Sequence, residues 1–252
     1  MSSTTIWGTL YGVSVGPGDP ELMTLKGFNL LKHTPIIAFP AGLHGKPGVA
    51  ESIISHLCSP QQQQLSLHFP YVQDETELTQ AWQNAAHRVA VYLQQGTDVV
   101  FACEGDVSFY STFTYLAHTL QQLYPEAKIQ AIPGVCSPLA AVASLGIPLT
   151  VRNQRLMILP ALYHIEQLDN ILKQTDVLVL MKVSSVYSQV WQILQQFNLL
   201  EQASIVEWAT LPQQKIYHGL SDRPQLNLSY FSLMVVQTKE YRSMGNLTID
   251  DV

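Results

Sequence analysis

The sequence predicts an α/β protein of two domains, the first built on a mostly parallel sheet and the second on a mixed one. Three observations carry this. Short apolar runs alternate with longer amphipathic stretches up to residue 148, three of those runs end in a glycine-containing loop that opens a helix, and a second alternating set follows the break Gly146-Ile147-Pro148-Leu149-Thr150. The domains are therefore placed at 1–148 and 149–252.

In the first domain the strands are read at 6–13, 34–39, 65–69, 98–103 and 128–132, where β-branched and aromatic residues cluster. Helices are read at 20–32, 47–57, 75–95 and 108–123, and Ser137 to Leu145 is a short helix of small residues. Strands that alternate with helices call for parallel pairing. In the second domain the strands are read at 156–159, 177–182, 204–207, 215–219 and 231–236, with helices near 164–174 and 184–198. Its last strands are joined by short links, so they are expected to run antiparallel. The glutamine-rich stretches at 61–64 and 189–214 read as solvated faces, and 242–252 contains little to bury.

The loop Gly12-Val13-Ser14-Val15-Gly16-Pro17-Gly18-Asp19-Pro20 is the most informative segment. Its glycines admit positive φ or close backbone approach, and Asp19-Pro20 reads as an N-cap with the first helical residue. Its spacing is G-x-x-x-G-x-G, which is not the dinucleotide fingerprint, and no Lys-Ser/Thr pair follows to make a P-loop. Two further loops follow strands: Glu104-Gly105-Asp106-Val107-Ser108-Phe109-Tyr110-Ser111-Thr112 and Pro133-Gly134-Val135-Cys136-Ser137. The carboxyl edge of a parallel sheet is where ligands bind, so three such loops point to one site.

In order, GVxxGPGDPELxTLKG, xGDxSFYSTF and IPGVxS resemble the motifs of the tetrapyrrole methyltransferase family. The resemblance runs from Leu10 to about Val236. It implies the family's two α/β domains with an active-site cleft between them, and S-adenosylmethionine as methyl donor with S-adenosylhomocysteine as product. The SFYSTF extension resembles the branch that methylates carbon 20 of precorrin-2 or cobalt-factor II in cobalamin biosynthesis. One departure stands out: Val107 occupies the place of the family's usual proline. Carried over position by position, the cofactor-binding residues are Pro17, Glu104, Gly105, Asp106, Phe109, Cys136, Ser137, Met181, Ala209 and Leu233. Ala209 stands where the family often has glycine. The resemblance further implies a homodimer.

A methyl group leaves a sulfonium by in-line displacement, so such an enzyme needs alignment and water exclusion more than a nucleophile or a metal. Asp106 and Tyr110, with Glu104 and Asp19 behind them, are the candidates for taking a proton, and Asp106 reads better as the cap of its own loop. The polycarboxylate substrate calls for local positive charge, for which Arg152, Arg155, Lys182, Lys46 and His44 are candidates in a chain with 13 Lys and Arg against 19 Asp and Glu. A net charge of −6 argues against a nucleic-acid surface. No apolar run approaches the ~20 residues of a membrane span. Met1 to Thr5 has no signal-peptide character, which points to the cytoplasm. Cys58, Cys103 and Cys136 form no C-x-x-C pair and read as free thiols, and the scattered histidines offer no zinc motif. Two other classes remain open: another tetrapyrrole ring-carbon methyltransferase, such as one acting on uroporphyrinogen-III or precorrin-4, or a methylase of a modified protein histidine; and a non-catalytic module that only binds a tetrapyrrole.

Overall fold

The computed structural model describes residues 6–42, 46–70, 72 and 74–238. His44 and the 242–252 tail of the sequence reading lie outside them. The chain forms two compact units, one ending at Cys136 and the other beginning at Ser137.

The first unit holds strands β1 (Thr9–Ser14), β2 (Ile36–Pro40), β3 (Gln63–Leu67), β4 (Val99–Cys103) and β5 (Lys128–Ile132), and helices α1 (Leu25–His33), α2 (Val49–Ile54), α3 (Glu75–Leu93) and α4 (Thr112–Leu123). The strands lie in the order β3-β2-β4-β1-β5, and every pairing is parallel. Strand β4, Val-Val-Phe-Ala-Cys, is buried along its whole length because it is central and covered on both faces. Val99, Phe101 and Cys103 pack with α3 and α4, while Val100 and Ala102 join Val13, Ile37 and Phe39 against α1 and α2. Each fully buried side chain of this kind contributes roughly 1.5–3 kcal/mol.

The first helix differs from its reading. Asp19 does cap, its Oδ1 accepting from Glu21 N at 2.8 Å, but what it caps is a single 3-10 turn, Pro20–Leu22. Extended Met23 interrupts the spiral, and α1 starts afresh with Thr24, whose hydroxyl accepts from Gly27 N at 3.2 Å.

The second unit holds β6 (Leu156–Pro160), β7 (Val177–Met181), β8 (Ala203–Glu207), β9 (Lys215–His218) and β10 (Ser232–Gln237), with α5 (Ser137–Leu145), α6 (Leu168–Gln174) and α7 (Tyr187–Gln196). The order is β6-β7-β10-β8-β9, with β6 and β7 parallel and all other pairs antiparallel. The short link gives the expected β8–β9 hairpin. Strand β10 does not follow suit: it inserts between β7 and β8, because Leu233, Met234, Val235 and Val236 are buried on both faces and need a central place. Helices α6 and α7 cover one face of this sheet, and Ala141 and Val142 of α5 pack on the other.

Candidate functional site

Strands β4, β1 and β5 are neighbours, so the three glycine-containing loops leave the same carboxyl edge side by side. Two of them are bonded directly. Gly105 N donates to Gly16 O at 2.8 Å and Gly16 N donates to Gly105 O at 3.3 Å, with both glycines in the left-handed region at φ +68° and +81°. A Cβ built on Gly105 would meet nothing within 4 Å, so this bridge borders open space. Pro17 and Gly18 beside it are buried.

Asp106 joins the loops. Its Oδ2 accepts from Gly134 N of the third loop at 2.7 Å, and its Oδ1 accepts from the backbone N of Ser108 at 2.8 Å and from the Ser108 hydroxyl. Ser14, fully buried at the end of β1, donates its hydroxyl to Ile132 O at 2.7 Å and accepts from Val107 N at 3.0 Å. That hydroxyl also stands 3.4 Å from Asp106 Oδ2. Burial raises the pKa of Asp106, but the hydrogen bonds from Ser108, Gly134 and Ser14 outweigh it and hold the carboxyl below the ordinary aspartate value. With both oxygens engaged as acceptors, Asp106 behaves as the cap of its loop.

A pH dependence follows from that sign. A lowered folded pKa stabilises the fold above the unfolded value of about 3.9, and the contribution is lost as pH falls through the lowered folded value. The urea midpoint of the wild type is therefore expected to exceed that of Asp106→Asn by its full margin at pH 7, and the gap narrows as pH drops below about 4. A gap of constant width over that range overturns the assignment.

Near Asp106, the thiol of Cys103 is buried 2.9 Å from Ser111 Oγ, and burial pushes its pKa up to about 11, so it stays a neutral thiol. All three cysteines are free. Tyr110 is exposed at φ +50°, edge-on to Phe109 at 4.9 Å, and Phe109 N closes a turn onto Asp106 O at 3.2 Å. Glu104 is exposed at the lip of the bridge. Cys136 is half-buried at the end of the first unit, and Ser137 is the first residue of α5.

In the second unit, Met181 and Leu233 are direct cross-strand partners, and Ala209 lies two residues past the end of β8, whose Val206 pairs with Leu233 on its other side. All three pack into the same apolar cluster. This end of the sheet carries three non-glycine residues in the left-handed region: Lys182 at φ +57°, Trp208 at +52° and Thr210 at +67°. Such conformations cost about 1–3 kcal/mol each and gather at functional sites. Trp208 packs on Phe231 with ring centroids 4.5 Å apart, and Lys182 Nζ lies 5.1 Å from the centre of the Tyr230 ring. Behind them, buried Glu207 accepts from Tyr217 Oη at 3.0 Å and from Ser229 N at 2.6 Å.

The cations expected for a polycarboxylate are sorted by their partners. Arg155 is committed to buried Asp176, with Nε 3.1 Å from Oδ2 and its own backbone N 2.8 Å from the same oxygen, which pins the start of β6 to the start of β7. The pair takes up Nε, while the Arg155 side chain as a whole stays exposed. Lys46, Arg152 and Lys182 are exposed. Among the described residues no group of three His, Cys, Asp or Glu is placed to hold a metal ion, and no helix is long and apolar enough to cross a membrane.

Sequence reading passed over Ser14, Ser108 and Ser111 as site residues. Ser14 had a signal, being the one small aliphatic hydroxyl in the run from Leu10 to Val15, which has no business on a strand buried from both sides unless it is bonded.

The comparisons with known proteins bear on this geometry. The family model for tetrapyrrole (corrin/porphyrin) methylases matches residues 9–224. This chain is a tetrapyrrole methylase. The methylase is 32% identical over 233 residues to the cobalt-precorrin-2 C(20)-methyltransferase of Salmonella typhimurium (strain LT2), covering 91% of this chain and 96% of that one. It is 29% identical to the precorrin-2 C(20)-methyltransferase of a Sinorhizobium species, covering 91% and 95% of the two chains. In fold it is similar to uroporphyrin-III C-methyltransferase of Thermus thermophilus in complex with S-adenosylhomocysteine, at TM-score 0.62, 20% identity, and 91% and 97% coverage. The two sheets of the methylase, one parallel and one mixed, match that fold.

Proposed function

We propose that this methylase transfers the methyl group of S-adenosylmethionine to carbon 20 of precorrin-2 or cobalt-factor II in cobalamin biosynthesis. The observation that carries the reading is similarity to carbon-20 methyltransferases over nine-tenths of the chain, joined to three loops that converge at one sheet edge.

The residues at that edge suit such a donor. Gly16 and Gly105 present backbone bridged to backbone beside open space, and exposed Glu104 offers a carboxylate to hydroxyl or ammonium groups. When bound, S-adenosylmethionine supplies an electrophilic methyl on a sulfonium. The chain supplies binding, alignment and exclusion of water. In this reading Pro17 lies against the cofactor, the Glu104-Gly105-Asp106 loop and Phe109 wrap its methionine and ribose portions, Cys136 and Ser137 line the adjacent wall, and Met181, Ala209 and Leu233 contact the adenine side. Asp106 acts as a fixed acceptor for its own loops and is not assigned the proton that carbon 20 loses. The two domains of the reading, 1–148 and 149–252, each contribute to the cofactor, and Lys182, Arg152 and Lys46 are the cations offered to substrate carboxylates. The working form is a cytoplasmic homodimer, a state that light scattering checks.

The test is a parallel assay of precorrin-2 and cobalt-factor II with isotope-labelled methyl donor. Label appearing at carbon 20 of either is expected. Turnover of neither retires the assignment, and tight tetrapyrrole binding without transfer favours the non-catalytic module.

A further inference from the structure

We infer that Ser14 and Asp106 are positioning residues for methyl transfer: together they clamp the three carboxyl-edge loops into one rigid cradle for the donor. The inference rests on the proposal that these loops hold S-adenosylmethionine.

Three connections make the clamp. The hydroxyl of Ser14 reaches two neighbouring segments at once, donating to Ile132 O at the end of β5 and accepting from Val107 N after β4, while its own backbone belongs to β1. Asp106 spans the same gap from the other side, through Gly134 N and Ser108. Gly134 has no Cβ, and the place for one lies 2.4 Å from Ser14 Cβ, so the third loop is pressed directly on the serine. Ser14 and Asp106, the two side chains at the centre of this knot, are buried, and each is matched by partners of the right kind, with exposed Ser108 closing the outer side.

Val107 explains why a hydroxyl is needed. The bond from Phe109 N to Asp106 O makes residues 106–109 a β-turn with Val107 at its second position, the place where proline fixes φ in advance. Valine leaves that angle soft, but it keeps an N–H that proline lacks, and Ser14 Oγ takes it at 3.0 Å. The turn is thus held by a bond to the neighbouring strand in place of a ring. Ser14 touches neither open space nor solvent, so any effect it has on the reaction runs through the loops.

The experiment compares wild type, Ser14→Ala, Asp106→Asn and the milder Ser108→Ala by calorimetric titration with S-adenosylhomocysteine alone, and then by steady-state kinetics. Expected are about 10-fold weaker binding for Ser14→Ala and Asp106→Asn and about threefold for Ser108→Ala, each matched by a higher KM for the donor. At saturating donor, kcat stays within about threefold and the KM for the tetrapyrrole is unchanged, a split that general loss of stability does not produce. A fall of kcat by 100-fold or more in Asp106→Asn with unaltered product binding makes Asp106 a base and overturns the inference, as does unaltered binding in all three variants. If Ser14→Ala fails to fold, Ser108→Ala on the exposed side of the same carboxylate decides alone. A wild type that does not bind S-adenosylhomocysteine overturns the donor assignment itself, which separates that failure from this one.

Discussion

Gly134→Ala is expected to lower kcat/KM for methyl transfer by about 100-fold and to weaken S-adenosylhomocysteine binding by at least 10-fold, with little loss of secondary structure. The new methyl would be placed 2.4 Å from Ser14 Cβ and 3.4 Å from both Ser14 oxygens. Real carbon atoms do not approach so closely, so one side has to move. Ser14 is fully buried at the end of β1, paired with Cys103 of β4 and tied by its hydroxyl to Ile132 of β5, and it cannot yield. The loop yields, and with it goes the 2.7 Å bond from Gly134 N to Asp106. Displacement of the order of an ångström at a reacting centre costs about 10²-fold in rate. Gly105→Ala is the instructive contrast. Its Cβ has free space, and the cost is only the left-handed backbone at φ +68°, of the order of 1 kcal/mol. Were Gly134→Ala to keep wild-type affinity and rate within threefold, the picture of a rigid cradle fails.

How much of this was open to sequence reading depends on how local the cause is. The loops were legible because glycine, proline and aspartate answer to backbone geometry within a few residues, and strands such as Lys128–Ile132 and the helix Ser137–Leu145 were read to the residue. That the three loops are neighbours was legible only as an inference from the parallel-sheet rule. The order β4-β1-β5 that makes them so arises from packing over the whole unit. Gly134 looked like a turn residue, yet its φ is not in the left-handed region, and its reason is the serine pressed against it from a strand over a hundred residues away. No local pattern encodes that.

The second unit was less legible for the same reason. Short links predicted antiparallel neighbours correctly for β8 and β9, but the place of β10 follows from its need to bury both faces, which outweighs its chain position. Arg155 shows the limit for charges. In sequence it is one of several cations near the domain break, and only the fold reveals Asp176 at 3.1 Å. The left-handed backbone at Lys182, Trp208 and Thr210 was equally invisible, since none of these residue types announces it. Sequence therefore spoke clearly where a residue type serves its own turn, and faintly where it serves a distant partner.

Phe101→Ala tests whether the site depends on the core beneath it, and it is expected to destabilise the first unit by about 3–5 kcal/mol and lower its Tm by roughly 6–20 °C. Phe101 lies midway along the central strand with no exposed surface, its ring 6.1 Å from that of Phe113 and 6.2 Å from that of Phe69. Gly12 is its partner across β1, and a Cβ there would sit 2.4 Å from the Phe113 ring, so these aromatic rings already fill the space that glycine leaves. Neighbours wedged in this way cannot relax far into the hole, which places the cost toward the upper part of the range. The link to function is short: Cys103, two residues on, has its backbone O bonded to Val15 N at 2.9 Å, and its thiol touches Ser111, the N-cap of α4. Product affinity should therefore fall with stability in Phe101→Ala and recover in part when Phe101→Leu refills the cavity. A loss below about 1 kcal/mol, or product affinity unchanged at a temperature where the variant remains folded, separates the cradle from the core under it and removes the argument that the sheet holds the loops in place.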